Sequence, residues 1–250
     1  MRILDLFSGT HSLANAARPL GHEVVTLDNA LPADIQCDFL EWDYATYPPG
    51  HFDLIGASPP CAVWSNARMM NLGKLRLATG RPWTQAELDA DLKGPQGQQL
   101  IDRLRQVLDY FQPTWWWIEN PWLSKMRDYI TDLPYVCVDY CQYSDWGYRK
   151  RTRLWTNIPL APRTCDGHCA SMEGKRHKVN LIDRGGYTHE KYRVPRQLIE
   201  ELLASAVSAP TAGAPAGSPA EKGEGARHSP LLPLAAAGGG APRCGGEQTS

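Results

Sequence analysis

The 250-residue chain has almost no net charge: 26 Lys and Arg against 27 Asp and Glu leave it at −1. Composition alone therefore gives no reason to expect a partner of one charge sign. No apolar run approaches the ~20 residues that a membrane-spanning helix needs. No complete G-x-G-x-x-G is present, which argues against a dinucleotide cofactor. The seven cysteines are odd in number and scattered. No secretory leader precedes the first strand-like run, so a reducing compartment is expected rather than a disulfide framework. Internal repeats are absent. What remains is an ordinary globular composition, 42% apolar and 21% charged, and enough length for one core of α/β size.

Charge is unevenly spread. Residues 1–140 hold eleven Lys/Arg against seventeen Asp/Glu, and residues 141–205 hold twelve against seven. An acidic catalytic half followed by a basic, phosphate-facing half would look like this, as would simple surface variation. Apolar runs at 2–7, 23–28, 52–58, 114–120, 135–143 and 153–158 predict strands. Residues 12–20 and Gln98–Phe111 have helical spacing. Their alternation predicts an α/β fold built on a doubly wound, mostly parallel sheet, with ligands beyond the carboxyl ends of the strands. In residues 206–250, Ala, Gly, Pro and Ser number eleven, nine, six and four. Such a segment buries too little apolar surface to offset its ordering entropy, and reads as a disordered tail.

The motifs fall at the predicted strand ends. Asp5-Leu6-Phe7-Ser8-Gly9-Thr10 places a glycine turn after the first strand, where backbone N–H groups can face a polar ligand. Asp28 ends the second strand, placed to accept both hydroxyls of a ribose, and Asp38 could accept from an adenine amino group. Without a pyrophosphate-binding pattern, a nucleoside such as S-adenosylmethionine suits this arrangement. Ser58-Pro59-Pro60-Cys61 then sets a thiol on a stiff backbone at the end of the third strand. A nucleophilic thiolate needs such placement and electropositive surroundings. A lone cysteine would otherwise read as inert. Trp117-Ile118-Glu119-Asn120 ends the next strand with a carboxyl group able to meet a ring nitrogen. Arg151 and Arg153 alternate, and would share one face of an extended segment.

In content and order, DLFSG, SPPC-x-x-WS, IEN and R-x-R resemble the cytosine-5 DNA methyltransferases, small phage-type members included. The likeness covers about residues 2–158, with a weaker match near 192–203. It implies the Rossmann-like methyltransferase fold and S-adenosylmethionine as cofactor. Cys61 would attack carbon 6 of a flipped cytosine, Glu119 would hold the ring nitrogen and the exocyclic amine, and Arg151 and Arg153 would contact the base carbonyl or a phosphate. Phe7, Ser8, Gly9, Thr10, Asp28 and Asp38 would hold the donor. It also implies a monomer acting on DNA in the cytoplasm of a prokaryote or virus-infected cell. The chain departs from the family at His11 and Ser12, where Gly-Gly is usual, and at Ala62, Pro121 and Arg149. A modified sulfonium donor, an RNA substrate and an inactive DNA-binding accessory protein are the competing readings.

The resemblance divides the chain into a catalytic domain at 1–158, a small recognition region with a return helix at 159–205, and the tail. Ser65, Arg68, Lys74, Arg76 and Arg81 form a basic stretch with no acid between 66 and 82, expected to be a loop that closes over DNA phosphates. Cys165, His168, Cys169 and His177 offer four zinc-type ligands within thirteen residues. Because His168 adjoins Cys169 and can point away, these are read as unliganded loop residues, with no metal.

Overall fold

Ile3, Leu4 and Leu6 are fully buried, as an apolar run without alternation requires of a strand covered on both faces. They form β1 (Arg2–Leu6), followed by α1 (Ser12–Ala17), β2 (Glu23–Asp28), β3 (Ile35–Gln36), β4 (Leu54–Ala57) and α2 (Asn66–Met69). Next come β5 (Leu75–Arg76), β6 (Arg81–Pro82), α3 (Gln85–Lys93), α4 (Gln98–Phe111) and β7 (Trp115–Pro121). β8 (Tyr135–Asp139), β9 (Arg151–Thr156), β10 (Met172–Glu173), β11 (Arg176–His177) and α5 (Arg196–Ser208) complete the order. This computed structural model describes residues 1–180 and 192–209. The tail expected over 206–250 lies outside the described residues from 210 onward.

The main sheet has seven strands in the order β3-β2-β1-β4-β7-β9-β8. β1, β2, β3, β4 and β7 are parallel, while β9 runs antiparallel to both β7 and β8. The expected mostly parallel, Rossmann-like sheet is present. After β1 the chain winds outward to β3 and returns to the other side through β4, so the strand order reverses between β1 and β4. That reversal leaves a crevice beyond their carboxyl ends.

α4 covers one face, burying Leu100, Ile101, Leu104, Val107 and Phe111, the stripe its sequence spacing predicts. α1 and α5 cover the other. α5 buries Leu198, Ile199, Leu202, Leu203 and Ala206 against Ile3, Leu13 and Ala17. The helix continues to Ser208, past the boundary expected at 205, because Ala206 still falls on its apolar stripe. α5 thus completes the core that β1 begins, although a basic region separates the two in sequence. α3 begins with a capping box between Thr84 and Glu87, a threonine three residues before a glutamate, which is itself a sequence signature of a helix start. Among the described residues no helix is long and apolar enough to cross a membrane.

Leu202 is 1% exposed and Val207 is 65% exposed. Leu202→Ala should cost about 2–5 kcal/mol in urea unfolding, whereas Val207→Ala should stay within about 0.5 kcal/mol. Equal effects would show that α5 does not pack as described.

Candidate active site

The turn after β1 carries two residues in the left-handed region apart from glycine: Phe7 at φ 59° and His11 at φ 57°, with Gly9 between them at φ 48°. A bulky side chain there is strained. His11 stands where the related pattern has glycine. Histidine tolerates this backbone better than most residues, and its Nε2 lies 2.7 Å from the Pro32 carbonyl oxygen. Ser12, at the second glycine position, accepts the Val194 N–H at 3.0 Å and so ties the turn to the segment entering α5. Both departures from the glycine pattern have structural partners.

Beside this turn a small cavity of about 20 Å³ is lined by Asp5, Phe7, Ser8, Ser12, Gly56 and Trp117 among others. Any side chain at Gly56 would collide with Leu13 and Trp117 at 2.7 Å, so glycine permits this close approach. Asp5 Oδ2 and Ser8 Oγ are buried without a hydrogen-bond partner, which fits a pocket made for a polar ligand. Burial pushes the Asp5 carboxyl up to about 7, against some relief from the Ala14 backbone.

Asp28 accepts the Gly9 N–H on Oδ2 at 2.9 Å and the Ala30 and Leu31 N–H groups on Oδ1 at 2.8 and 2.9 Å. A carboxylate has about four acceptor positions, and the three backbone N–H groups occupy most of those of Asp28. Asp38 is exposed and accepts from Leu40 N–H at 2.9 Å. Phe7 packs edge-on to Phe39 at 4.8 Å. Thr10 Oγ1 meets Ser12 Oγ at 3.1 Å.

Cys61 follows β4, next along the sheet. The buried Asn120 donates to the Pro59 carbonyl at 2.9 Å, so the Asn of the Glu-Asn pair fixes the backbone leading to the thiol. Burial pushes the Cys61 thiol up, the Lys150 cation draws it down, and Glu119 raises it again. Glu119 is 5% exposed. Its Oε1 accepts from Tyr140 Oη at 2.9 Å and from Lys150 Nζ at 3.2 Å. Oε2 carries no hydrogen bond among the described residues, so one carboxyl oxygen is pinned and the other is available.

Lys150 and Tyr140 were not anticipated from sequence, and Arg151 and Arg153 do not join Glu119. Glu119 stands opposite Leu154 in the β7–β9 register, so even-numbered residues of β9 share its face and odd-numbered residues take the other. Arg151 forks onto Asp139 at 3.1 and 2.8 Å, alongside Arg149 at 2.9 Å. Arg153 lies over the rings of Tyr135 and Trp122 at 4.1 and 4.4 Å. The two arginines do share one face, as alternation requires, but it is the face away from Glu119.

The basic stretch after Cys61 is organised rather than a bare loop. Ser65 caps α2, accepting from Ala67 N–H at 3.2 Å. The guanidinium groups of Arg68 and Arg76 both lie over the Trp83 ring, 4.6 and 4.3 Å from its centroid. Arg68 also pairs with Asp91, and Arg76 lies 3.8 Å from Glu87. Lys74 and Arg81 are exposed on the β5–β6 hairpin. Only some of the expected phosphate-facing cations therefore stand away from acids.

In the loop that carries the cysteine–histidine set, Cys165, Cys169 and His177 converge, and the residue that meets them is Cys141, which follows β8, rather than His168. His168 has an 86% exposed side chain, 3.5 Å from Asp166.

No protein-family model matches the chain. A protein of Frog virus 3 (isolate Goorha), named "Probable DNA (cytosine-5)-methyltransferase", is 43% identical over 219 residues, 81% of this chain and 99% of that protein. Among solved structures, the Dnmt2 methyltransferase of S. pombe aligns with 66% of this chain and 51% of its own, at 15% identity and TM-score 0.37. DNMT2 of Spodoptera frugiperda aligns with 66% and 53%, at 16% identity and TM-score 0.38. The chain spans about half the length of these two structures.

The Asp5 carboxyl provides a test of the pocket. Its raised pKa means the folded chain favours the neutral acid. The stabilising contribution is fully present below the unfolded value near 4 and is lost as pH rises through about 7. Asp5→Asn holds the neutral form permanently. Urea unfolding should find it more stable than wild type at pH 8, by at most roughly 3–4 kcal/mol, and close to wild type at pH 4. A difference that does not change with pH would show that ionising Asp5 costs the fold nothing.

Proposed function

The chain belongs to the DNA (cytosine-5)-methyltransferase family, and from that premise we propose that it methylates carbon 5 of cytosine in DNA through a covalent adduct on Cys61. The observation that carries this reading is the half-satisfied Glu119 carboxyl, held by Tyr140 and Lys150, with Lys150 and Glu119 both acting electrostatically on Cys61.

Carbon 5 of cytosine is a poor nucleophile. Addition of the Cys61 thiolate to carbon 6 makes it enamine-like. Glu119, with Oε1 held by Tyr140 and Lys150, donates a proton from Oε2 to the ring nitrogen as electron density reaches it, and takes the proton back when the thiol leaves. Lys150 takes the cationic place beside the base that sequence assigned to Arg151 and Arg153, and its charge favours the thiolate. S-adenosylmethionine supplies an electrophilic methyl group when bound. Phe7, Ser8, Gly9, Thr10 and Asp28 would hold it, with Asp38 toward the adenine. The Asp5 Oδ2 atom, buried without a partner, suits a polar group of the ligand. Loss of the carbon-5 proton and departure of the Cys61 thiolate restore the aromatic ring. Because carbon 6 is inaccessible in a stacked duplex, the base must be flipped out. Lys74, Arg81 and the N-terminal end of α2 at Ser65 would face the backbone, with Arg68 and Arg76 organising that surface around Trp83.

DNA carrying 5-fluorocytosine tests the mechanism. Fluorine cannot leave as a cation, so once the alkyl group is on carbon 5 the thiol has no exit. Wild type should form a denaturant-stable adduct that depends on the sulfonium donor, and Cys61→Ala should form none. The adduct mass reports the group transferred. Absence of an adduct on DNA that gel shift shows to be bound would overturn the covalent route.

Lys150→Gln addresses the thiolate. Removing the cation should move the rise of trapping rate to higher pH and slow trapping at pH 7.5 by roughly 3- to 10-fold. An unmoved pH profile would remove Lys150 from this role.

A further inference from the structure

Three cysteines and a histidine meet at a place the methyl-transfer site does not use. Cys141 comes from the 3-10 turn Tyr140–Gln142 that follows β8, Cys165 and Cys169 from the loop after β9, and His177 from β11. Their ligand atoms all lie within 4.8 Å of one another. His177 Nε2 is 3.6 Å from Cys165 Sγ and 3.4 Å from Cys169 Sγ. A tetrahedral zinc ion, with Zn–S about 2.3 Å and Zn–N about 2.05 Å, separates sulfur from nitrogen by about 3.6 Å and sulfur from sulfur by about 3.8 Å. We propose that Cys141, Cys165, Cys169 and His177 bind one structural zinc ion that holds the β10–β11 hairpin to the end of β8.

Packing argues for such a fastener. The hairpin consists of two strands of two residues each, too short to stand unaided. Between residues 161 and 180 only Cys165 and Ser171 are buried, so little hydrophobic burial holds the segment. Where a small module lacks a core, a metal commonly supplies the missing cohesion. Gly167 N–H also donates to Cys165 Sγ at 3.4 Å, and Cys165 N–H to Asp139 at 2.8 Å. A disulfide would use two of the thiols but would leave the imidazole nitrogen directed at both Cys165 and Cys169 without a purpose.

The charge balance fits as well. Zinc with three thiolates and a neutral imidazole carries a net charge of −1. Arg149 and Arg151 both interact electrostatically with Cys165 while clamping the buried Asp139. This gives the two arginines a role that the active-site reading left open. The ion would also fix Cys141, whose neighbour Tyr140 holds Glu119, and steady a hairpin that exposes Lys175 and Arg176.

The test uses the full chain, expressed in zinc-supplemented medium and purified without chelator. Mass-spectrometric metal analysis should find roughly one zinc per chain, and cobalt(II) added to the reduced, metal-stripped protein should give the visible bands of tetrahedral thiolate coordination. Cys141→Ser and His177→Ala should each lower zinc content at least tenfold. His168→Ala should leave it unchanged. Should these variants fail to fold, wild-type stoichiometry and the cobalt spectrum still decide. A folded wild-type protein that neither carries zinc nor takes it up when titrated in reduced form would overturn the proposal. So would a Cys165–Cys169 disulfide in the freshly purified protein, or undiminished zinc in both Cys141→Ser and His177→Ala.

Discussion

The insertion of β9 between β7 and β8 is the constraint on which the chemistry of this molecule depends. Its register sets Glu119 opposite Leu154 and Asp139 opposite Arg151. From those two pairings the charged residues of one short strand and its approach are sorted onto two faces. Lys150 and Tyr140 reach Glu119 on one side. Arg149 and Arg151 satisfy the fully buried Asp139 on the other. A register slip of one residue would exchange these sets, leaving Asp139 as a buried, unpaired charge, one of the costlier faults a core can contain.

The active-site side of this division shares a common logic. The strand-order reversal between β1 and β4 creates the crevice, and the groups around it are held by partners outside it. Asn120 steadies the backbone before Cys61, Ser12 ties the β1 turn to the approach to α5, and His11 anchors to Pro32. The polar atoms without partners, Asp5 Oδ2 and Ser8 Oγ, line or adjoin the cavity. Strain at Phe7 and desolvation at Asp5 are costs borne where a ligand would bind, as functional sites commonly show. α5 supports this arrangement from beneath, since the cluster it shares with Ile3 and Leu13 lies directly under the β1 turn.

Much of this was legible in the residues themselves. Strand runs such as Glu23–Asp28 and the helix Gln98–Phe111 were readable to the residue, because burial on a known face imposes a local period. The positions of Cys61 after the rigid Pro59-Pro60 pair and of Glu119 near the end of β7 were readable because strand-end placement is a local property. Thr84 and Glu87 carried a helix-start signal that would have located α3. The partners of Glu119 were not readable. Arg151 and Arg153 were correctly placed on one face of β9, but which face depended on the register with β7, a contact across more than thirty residues that no local period encodes. Cys141 was missed for the same reason: it lies twenty-four positions before Cys165, and only the turn after β8 brings the thiols together. The sequence by itself determined which segments become strands and helices and which side chains could do chemistry, since those follow from short-range periodicity and residue type. Only the tertiary structure decided which of those side chains meet, because strand order, register and pleat set the face to which each is delivered.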